Sequence, residues 1–267
     1  MRIGIGLPAT IPGAPASLIV PWAQAAEAGP FASLGVHDRL NYDCLEPMLA
    51  LAAAAAATER IELACLVLIG PLRRPALLAK QAHTLDRLSG RRFTLGVGVG
   101  PREDDYQLAG VPWGARGRLL DEELAFELPV PVAVGGGSDQ AYLRAARAAA
   151  GYVHGGGPPR AFRSAVDRVL AAWSDLGRPG RPRIWGTGYF ALGPDARERG
   201  MDDLLRYYGF LGSLAEPVAA GQLVSSAEEV RAYAEGYREN GCDDLVLFPT
   251  IPDLEQLERL SEIVSSI

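Results

Sequence analysis

Residues 61–100 read IELACLVLIGPLRRPALLAKQAHTLDRLSGRRFTLGVGVG. The stretch opens on a β-type run, Ile61–Leu68, and closes on another, Phe93–Val99. Between them Leu78, Ala82 and Leu85 recur at i, i+4 and i+7, while Lys80, Asp86 and Arg87 face elsewhere. That spacing is the signature of a helix with one apolar side. Gly90 stands where a helix-ending glycine belongs. A strand, a crossover helix and a second strand form the repeating unit of a parallel sheet.

The same alternation extends in both directions. Upstream, strands are predicted at Arg2–Leu7 and Phe31–Val36, with helices at Ser17–Ala28 and Glu46–Thr58. Ser17 is read as a helix cap, and the Ala-rich second helix suits the residue that loses least on entering a helix. Downstream, strands are predicted at Pro131–Val134, Tyr152–His154, Arg183–Leu192 and Asp244–Phe248. Helical patterns fall at about 116–126, 138–150, 159–176, 195–211, 227–240 and 254–264. Eight strands and at least eight helices give an α/β fold, a (β/α)8 TIM barrel occupying residues 1–267 as one domain. A doubly wound open sheet is the competing fold; the strand count and the final strand–helix pair favour closure.

The bulk composition narrows the function classes. The 267 residues are 48% hydrophobic and 22% charged, with a net charge of −6 and a pI of about 5.2. This balance, without a Lys/Arg run, argues against a nucleic-acid surface. Cys44, Cys65 and Cys242 match no disulfide or zinc framework, and a reducing cytoplasm is expected. The opening MRIGIGLP reads as a strand and not a signal peptide. The longest apolar run, Met48–Ala57, is too short to suggest a membrane span.

In such a barrel chemistry belongs at the C-terminal ends of the strands. That rule selects Pro8–Thr10, His37–Asp38–Arg39, Ile69–Arg74, Gly98–Tyr106, Gly135–Ser138 and His154–Gly157. Gly135, Gly136, Gly137 and Ser138 lead into a helix and could present bare amides to an anion, or form a tight turn with an ordinary cap. His154–Gly155–Gly156–Gly157 offers the same two readings. The run Gly96–Gly100 is not a dinucleotide fingerprint, because Pro101 takes the last glycine position. His37, Asp38 and Arg39 could supply a proton-transfer group or an anion clamp, or Asp38 could simply pair with Arg39 at the surface. His83 is expected to be structural, and Glu103–Asp104–Asp105 to be a solvated acidic loop. Three scattered histidines make a catalytic metal improbable, and no serine or cysteine has a nucleophile's context.

Four segments together resemble the bacterial luciferase-like superfamily of FMN- and coenzyme F420-dependent enzymes. They are FASLGVHDRLNYDCLEP, the long block from Arg60 to Glu122, VAVGGGSDQAYLRAARAAAGYVHGGG and GCDDLVLFPT. The resemblance implies the same barrel and a homodimer. It also implies a reduced flavin or 5-deazaflavin (FMN or F420) for monooxygenation or hydride transfer on a small organic substrate. Carried onto this chain, it places a non-proline cis peptide at Cys65–Leu66, cofactor contacts at Gly98 and Val99, and phosphate contacts at Gly135–Ser138, followed by His154, Gly155 and Gly156. His37, Asp38 and Arg39 are the catalytic candidates on their place after the second strand, not on the resemblance. Two departures stand out. Asp38–Arg39 replaces an Asp-His pair found in some F420 members, and Pro101 replaces an acidic residue. The barrel is also shortened between the fourth helix and fifth strand, since Leu120–Glu122 is followed within a few residues by Pro129. A more open cofactor face, or a site completed by another chain, is expected. Besides an oxidoreductase, a non-catalytic flavin-binding relative and a barrel enzyme for a phosphorylated metabolite remain open readings.

Overall fold

The structure, a computed structural model, describes residues 1–126 and 128–267. Eight parallel strands close on themselves: β1 (Arg2–Gly6), β2 (Ser33–Val36), β3 (Glu62–Ile69), β4 (Phe93–Gly98), β5 (Val132–Gly135), β6 (Gly151–His154), β7 (Arg183–Phe190) and, after a two-residue β8 (Leu223–Val224), β9 (Asp244–Pro249). β1 pairs with both β2 and β9, and β6 pairs with β7, so the sheet has no open edge among these eight. The open doubly wound alternative is thereby excluded. β8 pairs with the far end of β7, Tyr189 opposite Leu223, and lengthens the wall where β6 has already ended.

The helices are α1 (Ile19–Ala28), α2 (Pro47–Ala56), α3 (Pro75–Leu88), α4 (Glu103–Ala109), α5 (Arg116–Ala125), α6 (Asp139–Ala148), α7 (Pro159–Asp175), α8 (Ala196–Tyr208), α9 (Ala215–Ala220), α10 (Ala227–Glu239) and α11 (Leu254–Val264). Local chemistry sets several of their starts. Glu46, Ser138, Ser226 and Asp253 each accept a backbone N–H of the following turn. Ser17 does not cap: it lies in a 3-10 turn, and α1 begins at Ile19 with no side-chain cap. The acidic run 103–105 is not a solvated loop. It forms the first turn of α4, where carboxylates meet the positive end of the helix dipole.

Two apolar layers result. One joins the outer faces of the strands to the helices, with Trp22, Phe31, Leu34, Leu51, Phe93 and Phe162 among its fully buried side chains. The other fills the lumen, with Ala64, Leu66, Ala133, Val153, Trp185, Val246 and Phe248. Glycines on β1 and β2 make room for the lumen's largest ring. A Cβ on Gly6 would sit 2.2 Å from the Phe248 ring, and one on Gly35 would sit 3.0 Å from it. Phe248 therefore lies deep under the ends of β1 and β2, and this places whatever stacks above it.

The N-terminal end of the barrel is closed by charge. Arg2 and Arg183 alternate with Glu62 and Asp244. Arg2 Nη1–Glu62 Oε1, Arg183 Nη2–Glu62 Oε2 and Arg183 Nε–Asp244 Oδ2 lie at 2.7, 2.7 and 2.6 Å. Arg2 also approaches Asp244 Oδ1 to 2.7 Å, as an ion contact without hydrogen-bond alignment. Only six residues, 126–131, separate α5 from β5, as expected for a shortened link. Among the described residues no helix is long and apolar enough to cross a membrane.

Candidate active site

A cleft of about 610 Å³ opens at the C-terminal ends of β3 to β6. Leu66 and Val67 form its floor. Gly98, Val99, Gly135, Gly136, Gly137, Ser138, His154, Gly155 and Gly156 line it, and Trp113, Arg116 and Leu120 form the wall nearest α5. Ten of the eleven residues predicted from sequence to face a cofactor thus share one cleft. The Cys65 side chain does not. Its thiol packs 3.7 Å from the Met48 sulfur, between β3 and α2, and burial pushes its pKa up.

The non-proline cis peptide is at Leu66–Val67, one residue later than the predicted Cys65–Leu66. The cause is visible in the sheet. Cys65 pairs with Leu95 and Leu68 with Val97, so two residues of β3 face one residue of β4. This bulge begins after Cys65. It also explains much of the glycine in the neighbouring strands. A Cβ on Gly98 or Gly135 would sit 2.8 or 2.7 Å from the Val67 side chain, and one on Gly96 would sit 2.1 Å from the Cys65 carbonyl oxygen. Those three glycines serve the bulge. Gly137 and Gly155 have open space where a Cβ would be, and Gly136 holds φ +141°, which favours glycine. They leave the entrance to α6 bare. The first amides of that ten-residue helix have no intrahelical acceptor, and its dipole favours an anion. Ser138 spends its hydroxyl oxygen as the cap, accepting from Ala141 N.

Arg116 stands across the cleft from that entrance. Its guanidinium lies 3.8 Å from the Trp113 ring centroid and donates to Trp113 O at 2.9 Å. It has no carboxylate within 4 Å among the described residues. Arg144, also on the wall, is already paired with Asp121 at 2.6 Å. Glu123 lies one turn beyond Leu120, with both carboxylate oxygens buried and unpartnered against Gly70. Burial pushes its pKa up to about 7.

The trio after β2 separates by function of its surroundings. His37 stacks on Phe248, centroids 3.7 Å apart, and its Nδ1 lies 2.8 Å from Leu66 O. A carbonyl can only accept, so Nδ1 carries the hydrogen and Nε2 presents a lone pair. Nε2 is buried with no partner. Burial, assisted by the nearby Arg102 charge, lowers the His37 pKa to about 4, so the ring is neutral near pH 7. Asp38 and Arg39 do not pair with each other. Asp38 accepts from Ile69 N at 2.8 Å and from Arg73 at 2.6 Å. Arg39 donates to the fully buried Asp105 at 3.0 Å, and Asp105 also accepts from Leu40 N and Asn41 N. These two side chains lock the loop that carries His37.

A second group covers the mouth, and it was not foreseen from the sequence. The chain from α8 into the turn at 209–214 lays Tyr207, Tyr208 and Phe210 over the strand ends. Tyr189, Tyr207 and Tyr208 form a mutual cluster with centroids 5.1–6.2 Å apart. Arg102, just past β4 and 4% exposed, is held between the Tyr207 and Phe210 rings, each centroid 4.2 Å from its guanidinium carbon. It donates to Tyr207 O at 2.8 Å, but its Nε is buried and unpartnered. The Tyr207 contact returns about 2 kcal/mol at most and that of the exposed Phe210 about 0.5–1 kcal/mol, against a cost of several kcal/mol for burying an unpaired cation. The only signals in the sequence were the position of Arg102 directly after a strand and the aromatic density of Tyr207–Tyr208–Gly209–Phe210. Among the described residues no cluster suited to a metal ion occurs. His83 lies on α3, away from the mouth.

These features define a luciferase-like barrel. The sequence profile of the luciferase-like monooxygenase family matches residues 1–127, and the chain belongs to that family. An uncharacterized protein of Mycobacterium tuberculosis is 32% identical over 209 residues, covering 60% of this chain and 72% of its own. The 4-hydroxyprotoasukamycin monooxygenase of Streptomyces nodosus subsp. asukaensis is 29% identical over 228 residues, covering 67% and 61%. Solved structures share the fold at low identity. An F420-dependent secondary alcohol dehydrogenase in complex with an F420-acetone adduct superposes with a TM-score of 0.83 at 16% identity, over 100% of this chain and 99% of that one. The FMN-bound oxygenating constituent of 3,6-diketocamphane monooxygenase from Pseudomonas putida gives 0.78 at 17%, over 99% and 96%.

Proposed function

We propose that this protein is an oxidoreductase that uses reduced FMN or coenzyme F420 on a small organic substrate, with residues 1–267 acting as one catalytic unit. The observation that carries this reading is the continuity of the cleft. It runs from an anion-ready end, the bare entrance to α6 opposite Arg116, to the Leu66–Val67 bulge, whose Leu66 carbonyl holds His37. The residues fit such a cofactor: Gly137 and Gly155 leave space that any side chain would fill, and Arg116 has no carboxylate within 4 Å among the described residues. When bound, the cofactor supplies the hydride transfer or oxygen activation, while the protein positions and shields it.

The chain's own groups then divide the work. The α6 amides and Arg116 hold the phosphate, and the Leu66–Val67 floor with Gly98 and Val99 supports the ring. His37 accepts a substrate hydroxyl proton or hydrogen bond at Nε2, and Asp38 and Arg39 fix its loop. His154 lines the cleft as a second neutral imidazole, its pKa lowered to about 4 by burial. We also propose a homodimer through α2 and α3, whose Leu49 and Leu77 are 72% and 57% exposed; a monomer mass in solution removes it. A cytoplasmic setting accords with three free cysteines.

Titration of the purified protein with oxidised and reduced FMN and F420, followed by fluorescence, tests the proposal. Micromolar binding of one cofactor is expected, weakened about tenfold in Arg116→Ala, the loss of one charge-assisted contact. Binding of neither overturns the reading. Binding without turnover of any offered alcohol, ketone or phenol favours a non-catalytic flavin holder. The short link at 126–131 and the aromatic cover over His37 are the observations that favour this second reading.

A further inference from the structure

Among the described residues, the buried polar atoms at the mouth that have no partner include His37 Nε2, Tyr42 Oη and Arg102 Nε. Their side chains surround a single ring. The Tyr207 centroid lies 6.5 Å from that of His37, 5.6 Å from that of Tyr42 and 4.2 Å from the Arg102 guanidinium carbon. A fourth neighbour, Arg39, is 5.7 Å from the ring but is already committed to Asp104 and Asp105. Arg102 has no carboxylate within 4 Å among the described residues, and its partners are two ring faces and one carbonyl. Burying such a cation is poorly compensated unless an anion arrives.

Tyr207 itself is a phenol lodged among a cation, a hydroxyl and an imidazole acceptor. It sits at the end of α8, where the chain turns into a segment containing Gly209 and Gly212. Gly212 holds φ +56° and ψ −125°, a break in the helical backbone. Phe210 and Leu214 on the same segment are exposed, so its displacement has to break the Arg102 and Tyr208 contacts but buries no new apolar core.

We propose that Tyr207 occupies the substrate seat, and that the substrate is a planar hydroxylated aromatic anion. In this seat its acidic group meets Arg102, its ring takes the place of the Tyr207 ring, and its hydroxyl donates to His37 Nε2 beside Tyr42. Displacement of Tyr207 precedes binding, so the intact protein binds such a molecule only through the fraction with the seat open. The inference rests on the oxidoreductase reading for what happens to the substrate, but not for its capture.

The test is calorimetric titration of the full chain with 4-hydroxybenzoate, 4-hydroxybenzamide and cyclohexanecarboxylate. Tyr207→Ala is expected to bind 4-hydroxybenzoate about tenfold tighter or more than the unaltered chain. Tyr207→Phe, which keeps the plug, is expected to match the unaltered chain. In Tyr207→Ala the amide and the non-planar acid are expected to bind about tenfold more weakly than 4-hydroxybenzoate. Adding Arg102→Met removes the preference for acid over amide, and Arg102→Lys retains part of it; the lysine variant suffices if the methionine variant does not fold. Equal binding by Tyr207→Ala and the unaltered chain, or no discrimination between acid and amide, overturns the proposal. Parallel FMN and F420 titrations separate the two readings. Cofactor binding without the Tyr207→Ala gain sinks this inference alone. The gain without cofactor binding sinks the oxidoreductase reading and leaves this one standing.

Discussion

The two ends of the barrel treat charge in opposite ways. At the N-terminal end Arg2, Glu62, Arg183 and Asp244 neutralise one another at 2.6–2.7 Å. At the C-terminal end, among the described residues, Arg102 Nε, His37 Nε2 and His154 Nδ1 are buried without a partner and Arg116 has no carboxylate within 4 Å. A closed ring of ion pairs can only hold the fold. Unspent donors and acceptors destabilise the fold and are retained where a ligand completes them. The division matches the general placement of stability at the bottom and chemistry at the top of such barrels.

That contrast can be broken most forcefully at the bottom. Asp244→Ala leaves two arginines facing Glu62 alone. We expect it to lower stability by about 2 kcal/mol, because Asp244 is buried while the rest of the network keeps 30–47% of its side-chain surface and water screens part of the loss. Urea unfolding measures the loss, and cofactor affinity should stay within about twofold, far less than the factor of ten that corresponds to 1.4 kcal/mol. A parallel collapse of cofactor affinity would show that the two ends are not independent.

The pH dependence of stability sharpens the comparison further. The His37 pKa falls from 6.5 to about 4 on folding because the ring is buried. Its contribution is complete above pH 6.5 and is lost as pH falls toward 4, because the unfolded chain takes up the proton first. Glu123 behaves in the opposite sense. Its pKa rises from 4.5 to about 7, so its contribution is complete below pH 4.5 and is lost as pH rises through 7. Each amounts to about 2–3 kcal/mol across its window. We expect His37→Gln to flatten the acid limb and Glu123→Gln the neutral limb in urea titrations from pH 4 to 8. Identical slopes in both variants would refute the assignment.

The smallest expected effect is the most local. Gly137 has open space beside it and needs no left-handed backbone, so Gly137→Ala should leave the melting temperature unchanged. The added methyl enters the cleft at the entrance to α6. A loss of about fivefold to tenfold in cofactor affinity is expected, about 1–1.4 kcal/mol. An unaltered affinity would move the phosphate elsewhere.

Much of this architecture was legible before any coordinates. The strands announce themselves because each is buried on both faces and reads as a short apolar run, as Ile61–Leu68 does. The barrel rule pointed to six strand-end loops, and those after β4, β5 and β6 line the cleft. Other features depend on contacts that no local pattern carries. Asp105 is buried because amides at Leu40 and Asn41, more than sixty residues away, converge on it; nothing distinguishes it from Glu103 and Asp104 in the sequence. The cis peptide fell one residue from its expected place because the bulge is set by pairing with β4. Gly98 and Gly135 were correctly placed at the cleft, but their missing side chains answer to Val67. The loop after β7 was overlooked because its aromatic residues sit within an ordinary helical pattern.

The place of Arg102 in the chain has one more consequence. Its neighbour Pro101 lines the glycine-lined groove, while Arg102 itself lies between the rings of Tyr207 and Phe210. The tyrosine-bearing chain follows β7, the strand paired with β6 at the groove's edge, and Tyr208 is hydrogen-bonded to Gln222, which abuts Gly156. The two seats share a border, and a guest that moves one side of it is felt on the other.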